Sequence, residues 1–93
     1  MHITCETTAL LQGVTAVERA VANSEAEHNL SGIFLEAADG IVTLVATDRE
    51  IGIEKVITAD VLRPGSCIID GRLLSGIVRK LSGSDCSIQI EEN

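Results

Sequence analysis

The 93 residues suffice for one domain of modest size, and the 45% that are apolar support a core burying roughly 60–65% of the surface exposed by the unfolded chain. The formal charge of −7 argues against a small basic protein that coats nucleic acid by neutralising many phosphates. Phe34 is the only aromatic residue, which leaves neither a stacking platform for splayed bases nor an aromatic cage.

Cys5, Cys67 and Cys86 are odd in number and far apart, there is no C-x-x-C, and His2 and His28 stand at no ligand spacing. Structural thiols are expected, with no metal site and no cofactor, since free cysteine behaves mostly as a small buried hydrophobe. No apolar run approaches the ~20 residues of a membrane span, and the N-terminus lacks the basic-then-apolar pattern of a signal peptide. A reducing cytoplasm is the expected compartment.

In chain order, Ile3 to Glu6 alternates apolar and polar residues as a strand does. An amphipathic helix follows, with Leu10, Leu11, Val14, Val17 and Val21 on one face and Thr7 or Thr8 as its N-cap. After an acid-containing loop, Ser24 to Asn29, three strand-length apolar runs occupy Gly32 to Thr58, joined by two short polar connections. The first connection, Ala38-Asp39-Gly40, carries the Asp-Gly pair that tolerates the positive φ of a tight hairpin. The second, Ala46-Thr47-Asp48-Arg49-Glu50, leads into Ile51-Gly52-Ile53-Glu54, so the segment predicts an antiparallel meander. The turn Arg63-Pro64-Gly65 then introduces a strand over Ser66 to Asp70. A second helix, with Asp70 as N-cap, places Leu73, Leu74, Ile77, Val78 and Leu81 on its apolar face and ends near Leu81. Ser82-Gly83-Ser84-Asp85 breaks the pattern before a last strand, Cys86 to Glu91.

The order hides a repeat, because Ala9-Leu10-Leu11-Gln12-Gly13-Val14 matches Arg72-Leu73-Leu74-Ser75-Gly76-Ile77 at a constant offset of 63. The first copy runs strand, helix, three strands; the second runs strand, helix, one strand. A second half equal to the first needs two more strands, so a domain lacking its last hairpin is the expectation for residues 1–93.

The phrase DG-x-x-x-L-x-x-TD-x-EI-x-I, spanning Asp39 to Ile53, resembles the first domain of the bacterial replicative sliding clamp, the β subunit of DNA polymerase III. The resemblance runs from Met1 to about Glu92 and is poorest over Ser24 to Asn29. It implies an α+β DNA-clamp fold: a duplicated strand-helix-three-strand unit with antiparallel sheets and both helices on one side, its last hairpin missing here. It further implies a non-catalytic replication processivity factor, a head-to-tail ring of like subunits around duplex DNA that tethers the replicative polymerase. In that family the helices line the hole, and polymerase and clamp-loader peptides dock on later domains absent from this chain.

Pro64-Gly65-Ser66-Cys67-Ile68-Ile69-Asp70-Gly71-Arg72 resembles the family's Pro-Gly, strand and Pro-Ala-Arg sequence, which matches Arg72 to an arginine that heads the second helix and faces DNA. Arg79, Lys80 and, on the first helix, Arg19 lie on the faces opposite the apolar stripes and join Arg72 as expected DNA-proximal cations. As residues alone, Arg72, Arg79 and Lys80 are better read as ordinary solubilising charges, with Arg79 and Lys80 near a helix C-terminus where the dipole favours cations, and it is the resemblance that turns the reading toward DNA. After the first helix, clamps usually carry an Arg-Pro pair; Ser24-Glu25-Ala26-Glu27 stands here instead.

Two other classes stay open at this point. A standalone interaction module with the clamp-like fold and no DNA function fits the acid-rich loop and the −7 charge. A small enzyme subunit with a site built on Asp39, Asp48 and Glu54, near Glu50, would need those carboxylates to converge; at strand connections such residues usually satisfy the turn backbone instead. No phosphate loop, nucleophile elbow or zinc motif accompanies them.

Overall fold

Nine elements are seen in the computed structural model, which describes residues 1–23, 32–47 and 51–91. They are β1 (His2–Glu6), α1 (Thr7–Asn23), β2 (Gly32–Ala38), β3 (Ile41–Thr47), β4 (Gly52–Thr58), β5 (Asp60–Arg63), β6 (Gly65–Asp70), α2 (Gly71–Val78) and β7 (Asp85–Gln89). The Ser24 to Asn29 loop, Asp48 and Glu50 lie outside the described residues.

The expected meander is present as β2, β3 and β4. Asp39 and Gly40 take φ of 53° and 79°, the doubly positive turn that matches the right-handed twist of a hairpin, and Ala38 faces Ile41 across it. Along β2 the residues alternate strictly, with Ile33, Leu35 and Ala37 buried and Phe34 and Glu36 exposed. All strand pairs are antiparallel. They form a four-stranded sheet, β4-β3-β2-β6, and a three-stranded sheet, β5-β1-β7.

β5 is an element the sequence pattern does not reveal. After β4 the chain bends at buried Ala59, whose N–H donates to Gly40 O at 3.0 Å, and the next four residues pair with β1 in the other sheet. One run thus serves two sheets, and its second part, the four residues of β5, is too short to stand out beside the seven of β4.

α1 lies across β3 and β4 and along α2. Leu10, Val14, Val17 and Val21 are buried as the periodicity predicts, each contributing roughly 1.5–3 kcal/mol by leaving water. Gly13 permits the close approach: a Cβ there would sit 3.3 Å from Ile57 Cγ2 and 3.4 Å from Leu44 Cδ1. The expected threonine cap is not made. α1 begins at Thr7 itself, whose hydroxyl is buried without a partner among the described residues, and its N–H instead donates to Ser84 O at 2.9 Å. A long-range tie to the segment before β7 does the work a local cap would do.

α2 departs from expectation more deeply. Leu74 and Val78 are buried against α1 and the core, but Leu73, Ile77 and Leu81 are 58%, 51% and 39% exposed. Their counterparts under the offset of 63, Leu10 and Val14 for Leu73 and Ile77, are covered by β3 and β4. α2 has no equivalent pair of strands among the described residues. Hydrophobic periodicity correctly reports the stripe, but covering it requires a layer that periodicity cannot supply.

Candidate nucleic-acid interface

The two helices run side by side on the sheets, and between them lies a groove of about 600 Å³ lined by Glu18, Arg19, Val21, Gly71, Arg72, Ser75, Gly76 and Arg79. Gly71 and Gly76 keep its α2 wall low. Three guanidinium groups face one carboxylate, so the groove is positive within a chain that is acidic overall.

Arg72 is positioned by the start of α2. The Asp70 carboxylate accepts the N–H groups of Arg72 at 2.9 Å and Leu73 at 3.2 Å, satisfying two amides that a helix terminus otherwise leaves without partners. That cap fixes the first turn and sets Arg72 at the mouth of the groove.

Arg79, at the C-cap, is held differently. Its guanidinium pairs with Glu18 Oε1 and its Nε donates to Ser75 Oγ at 3.1 Å, while Ser75 Oγ donates to Glu18 Oε2 at 2.8 Å. Three residues from two helices close a ring of hydrogen bonds with the charge of Arg79 largely answered. Arg19 is exposed on the opposite wall. Lys80 lies beside a shallower depression that shares Arg72 and Gly76 with the main groove and adds Leu73 and Ile77.

The fold thus gathers Arg19, Arg72 and Arg79 into one groove and sets Lys80 next to it. Glu18 was not apparent from sequence patterning, although it is the only acid in the first helix, which is the one signal that could have drawn attention to it. Asp39 and Glu54 are not brought together. Asp39 sits in the turn beyond Ile41, whereas Glu54 pairs with Val45 at the other end of the strand, on the order of 13 Å away. A carboxylate site on Asp39, Asp48 and Glu54 therefore fails on the separation of two of its members.

A duplicated strand-helix unit, two antiparallel sheets and a cationic groove between the helices define a clamp-type domain. The family described as the DNA polymerase III beta subunit, N-terminal domain, matches residues 1–93, and the chain belongs to it. Beta sliding clamps from Synechocystis sp. and Micrococcus luteus are 33% and 30% identical, each over 98% of this chain but only 24% and 29% of their own lengths. The chain therefore spans about a quarter of the length of such relatives. Crystal structures of the DNA polymerase sliding clamps from Caulobacter crescentus and Bacillus subtilis superpose with TM-scores of 0.89 and 0.90 at 30% and 28% identity, covering 98% of this chain and 25% and 26% of theirs.

Proposed function

We propose that the chain is the first segment of a ring-shaped processivity factor that encircles duplex DNA without reading its sequence and tethers a replicative DNA polymerase. It performs no chemistry of its own. The observation that carries this reading is the arginine-lined groove between α1 and α2, on a domain of the clamp N-terminal family. Long cationic side chains on a smooth helical face hold phosphates by charge and distance, contacts that position a duplex but carry no base information.

Arg72 is the principal contact, with Arg19 and Lys80 beside it and Arg79 weakened by Glu18. Other copies of the subunit complete the ring, and polymerase and loader engage it through regions outside these 93 residues, in the cytoplasm. Among the described residues no helix is long and apolar enough to cross a membrane. The internal repeat supports two further strands that extend the sheet beyond β7 and cover Leu73, Ile77 and Leu81, making residues 1–93 an incomplete first domain.

The test is the salt dependence of duplex binding by the full-length protein. Arg72→Ala should weaken binding equally for unrelated sequences and lower the slope of log affinity against log salt by about 0.9. An unchanged slope would move the reading to a standalone interaction module.

A further inference from the structure

Cys5 in β1 and Cys86 in β7 stand directly opposite each other, with their sulfur atoms 3.8 Å apart. Neither residue takes part in the cationic groove. The pairing is framed at both ends. Met1 and Ile90 exchange both backbone hydrogen bonds, at 3.1 and 2.8 Å, and Thr7 N–H donates to Ser84 O at 2.9 Å. Antiparallel ladders alternate between such pairs and more open ones, so Cys5 and Cys86, four residues in from Met1 and Ile90, form another doubly bonded pair with Cα atoms about 5.5 Å apart. That Cα spacing is within the range that disulfides span, while the opposed side chains of a doubly bonded pair stand farther apart than those of an open pair, so closing the bridge draws the two strands slightly together.

Both side chains lie on the inner face of the sheet, Cys5 buried and Cys86 half-buried beside Ile88. The sulfurs need only approach from 3.8 Å to about 2.05 Å. Cys67, the third thiol, lies in the other sheet opposite Leu35.

We infer that Cys5 and Cys86 are a redox modification site, a dithiol that exchanges with low-molecular-weight disulfides such as glutathione disulfide to form a reversible cross-strand bond joining the first strand to the last. Cys86, the more exposed sulfur, attacks as thiolate; the glutathione disulfide bond breaks, one glutathione leaves as thiolate, and a mixed disulfide forms on Cys86. Cys5 loses its proton to solvent, attacks the Cys86 sulfur and expels the second glutathione as thiolate. The two protein thiols are oxidised, one glutathione disulfide is reduced to two glutathiones, and the two protons leave with them. Burial pushes the Cys5 thiol up, and because that burial persists once Cys86 carries glutathione, it slows the closing step.

The experiment equilibrates the full-length protein with glutathione redox mixtures, once folded and once in urea, traps free thiols by alkylation and maps the cross-linked peptide. If the fold holds the sulfurs ready, the effective concentration of the Cys5–Cys86 pair should be at least ~100-fold higher folded than unfolded. Cys86→Ser should abolish the bond, Cys5→Ser should stop at the mixed disulfide on Cys86, and Cys67→Ser should change neither. An effective concentration no higher in the folded protein than in urea would overturn the inference, as would oxidation through Cys67 or a mixed disulfide on Cys86 that never resolves.

Discussion

Arg79 at the end of α2 reaches across the helix groove to the Glu18 carboxylate of α1, with Ser75 bonded to both. One of the cations expected to meet DNA is thereby also the tie between the two helices. A charge committed to this tie is not fully available to the proposed DNA contact.

Replacing Glu18 by Gln should therefore act in opposite directions on stability and on DNA. The ion pair is partly exposed, at 49% for the Arg79 side chain and 29% for Glu18, so its loss should cost no more than about 1 kcal/mol. Removing a negative charge some 10 Å from a phosphate gains about 0.4 kcal/mol in water, or roughly twofold in duplex affinity. Urea unfolding and fluorescence anisotropy check the two halves. A fall in affinity would mean that Glu18 holds Arg79 in its productive place.

The cap at Asp70 gives a second separation. Asp70→Ala leaves the N–H groups of Arg72 and Leu73 without their carboxylate partner and should cost about 1 kcal/mol, whereas Asp70→Ser should keep most of the stability. Because Arg72 sits in that first turn, Asp70→Ala should also weaken duplex binding, even though removing an acid would by charge alone strengthen it. Stronger binding by Asp70→Ala would show that position matters less than net charge.

The repeat supplies its own control for the exposed stripe. Leu10 is 1% exposed and Leu73, its counterpart, 58%. In the 93-residue chain Leu10→Ala should cost roughly 2–5 kcal/mol and Leu73→Ala less than about 1. Denaturant midpoints measure both directly. Equal costs would mean that something already covers α2 in solution.

These contrasts mark how far the sequence speaks for itself. Asp39-Gly40 fixes a hairpin because few residue pairs tolerate two positive φ angles in succession, and the repeated Leu-Leu pattern locates both helices because amphipathicity is a local property. The helix start at Thr7 and the partner of Arg79 are not local: Ser84 is far along the chain from Thr7, and Ser75 and Arg79 are likewise distant in sequence from Glu18. β5 escapes for a related reason, since Ala59 redirects an unbroken run of strand residues from one sheet to the other. Leu73 and Ile77 carry the right pattern for burial, but burial depends on a neighbouring layer. Of the groove, the cations are legible as types and positions, and Arg72 as a motif residue; the carboxylate that tempers one of them is visible only in three dimensions.

The alkaline limb of stability should report on Cys5. Its thiol is raised from 9.0 to about 12, first by burial, then by the adjacent Cys86 and by the Asp85 and Glu6 charges at the end of the same strand pair. Below pH 9 the thiol is protonated in both folded and unfolded chains and contributes no slope. Between pH 9 and 12 the folded chain keeps the proton that the unfolded chain has lost, so unfolding releases a proton and stability falls as pH rises, by at most about 1.4 kcal/mol per pH unit for one group. Cys67, also raised by burial, adds in the same direction. The chain contains no tyrosine, which removes the phenol ionisation that usually crowds this range. Cys5→Ala should lower the midpoint at pH 7 through the lost packing yet flatten the profile from pH 9 upward, and Cys67→Ala should flatten it less. Urea midpoints at half-unit pH intervals, under reducing conditions, separate the two effects, because packing changes the height of the curve and titration its slope. A Cys5→Ala profile as steep as that of the unsubstituted protein would assign the alkaline loss to another group.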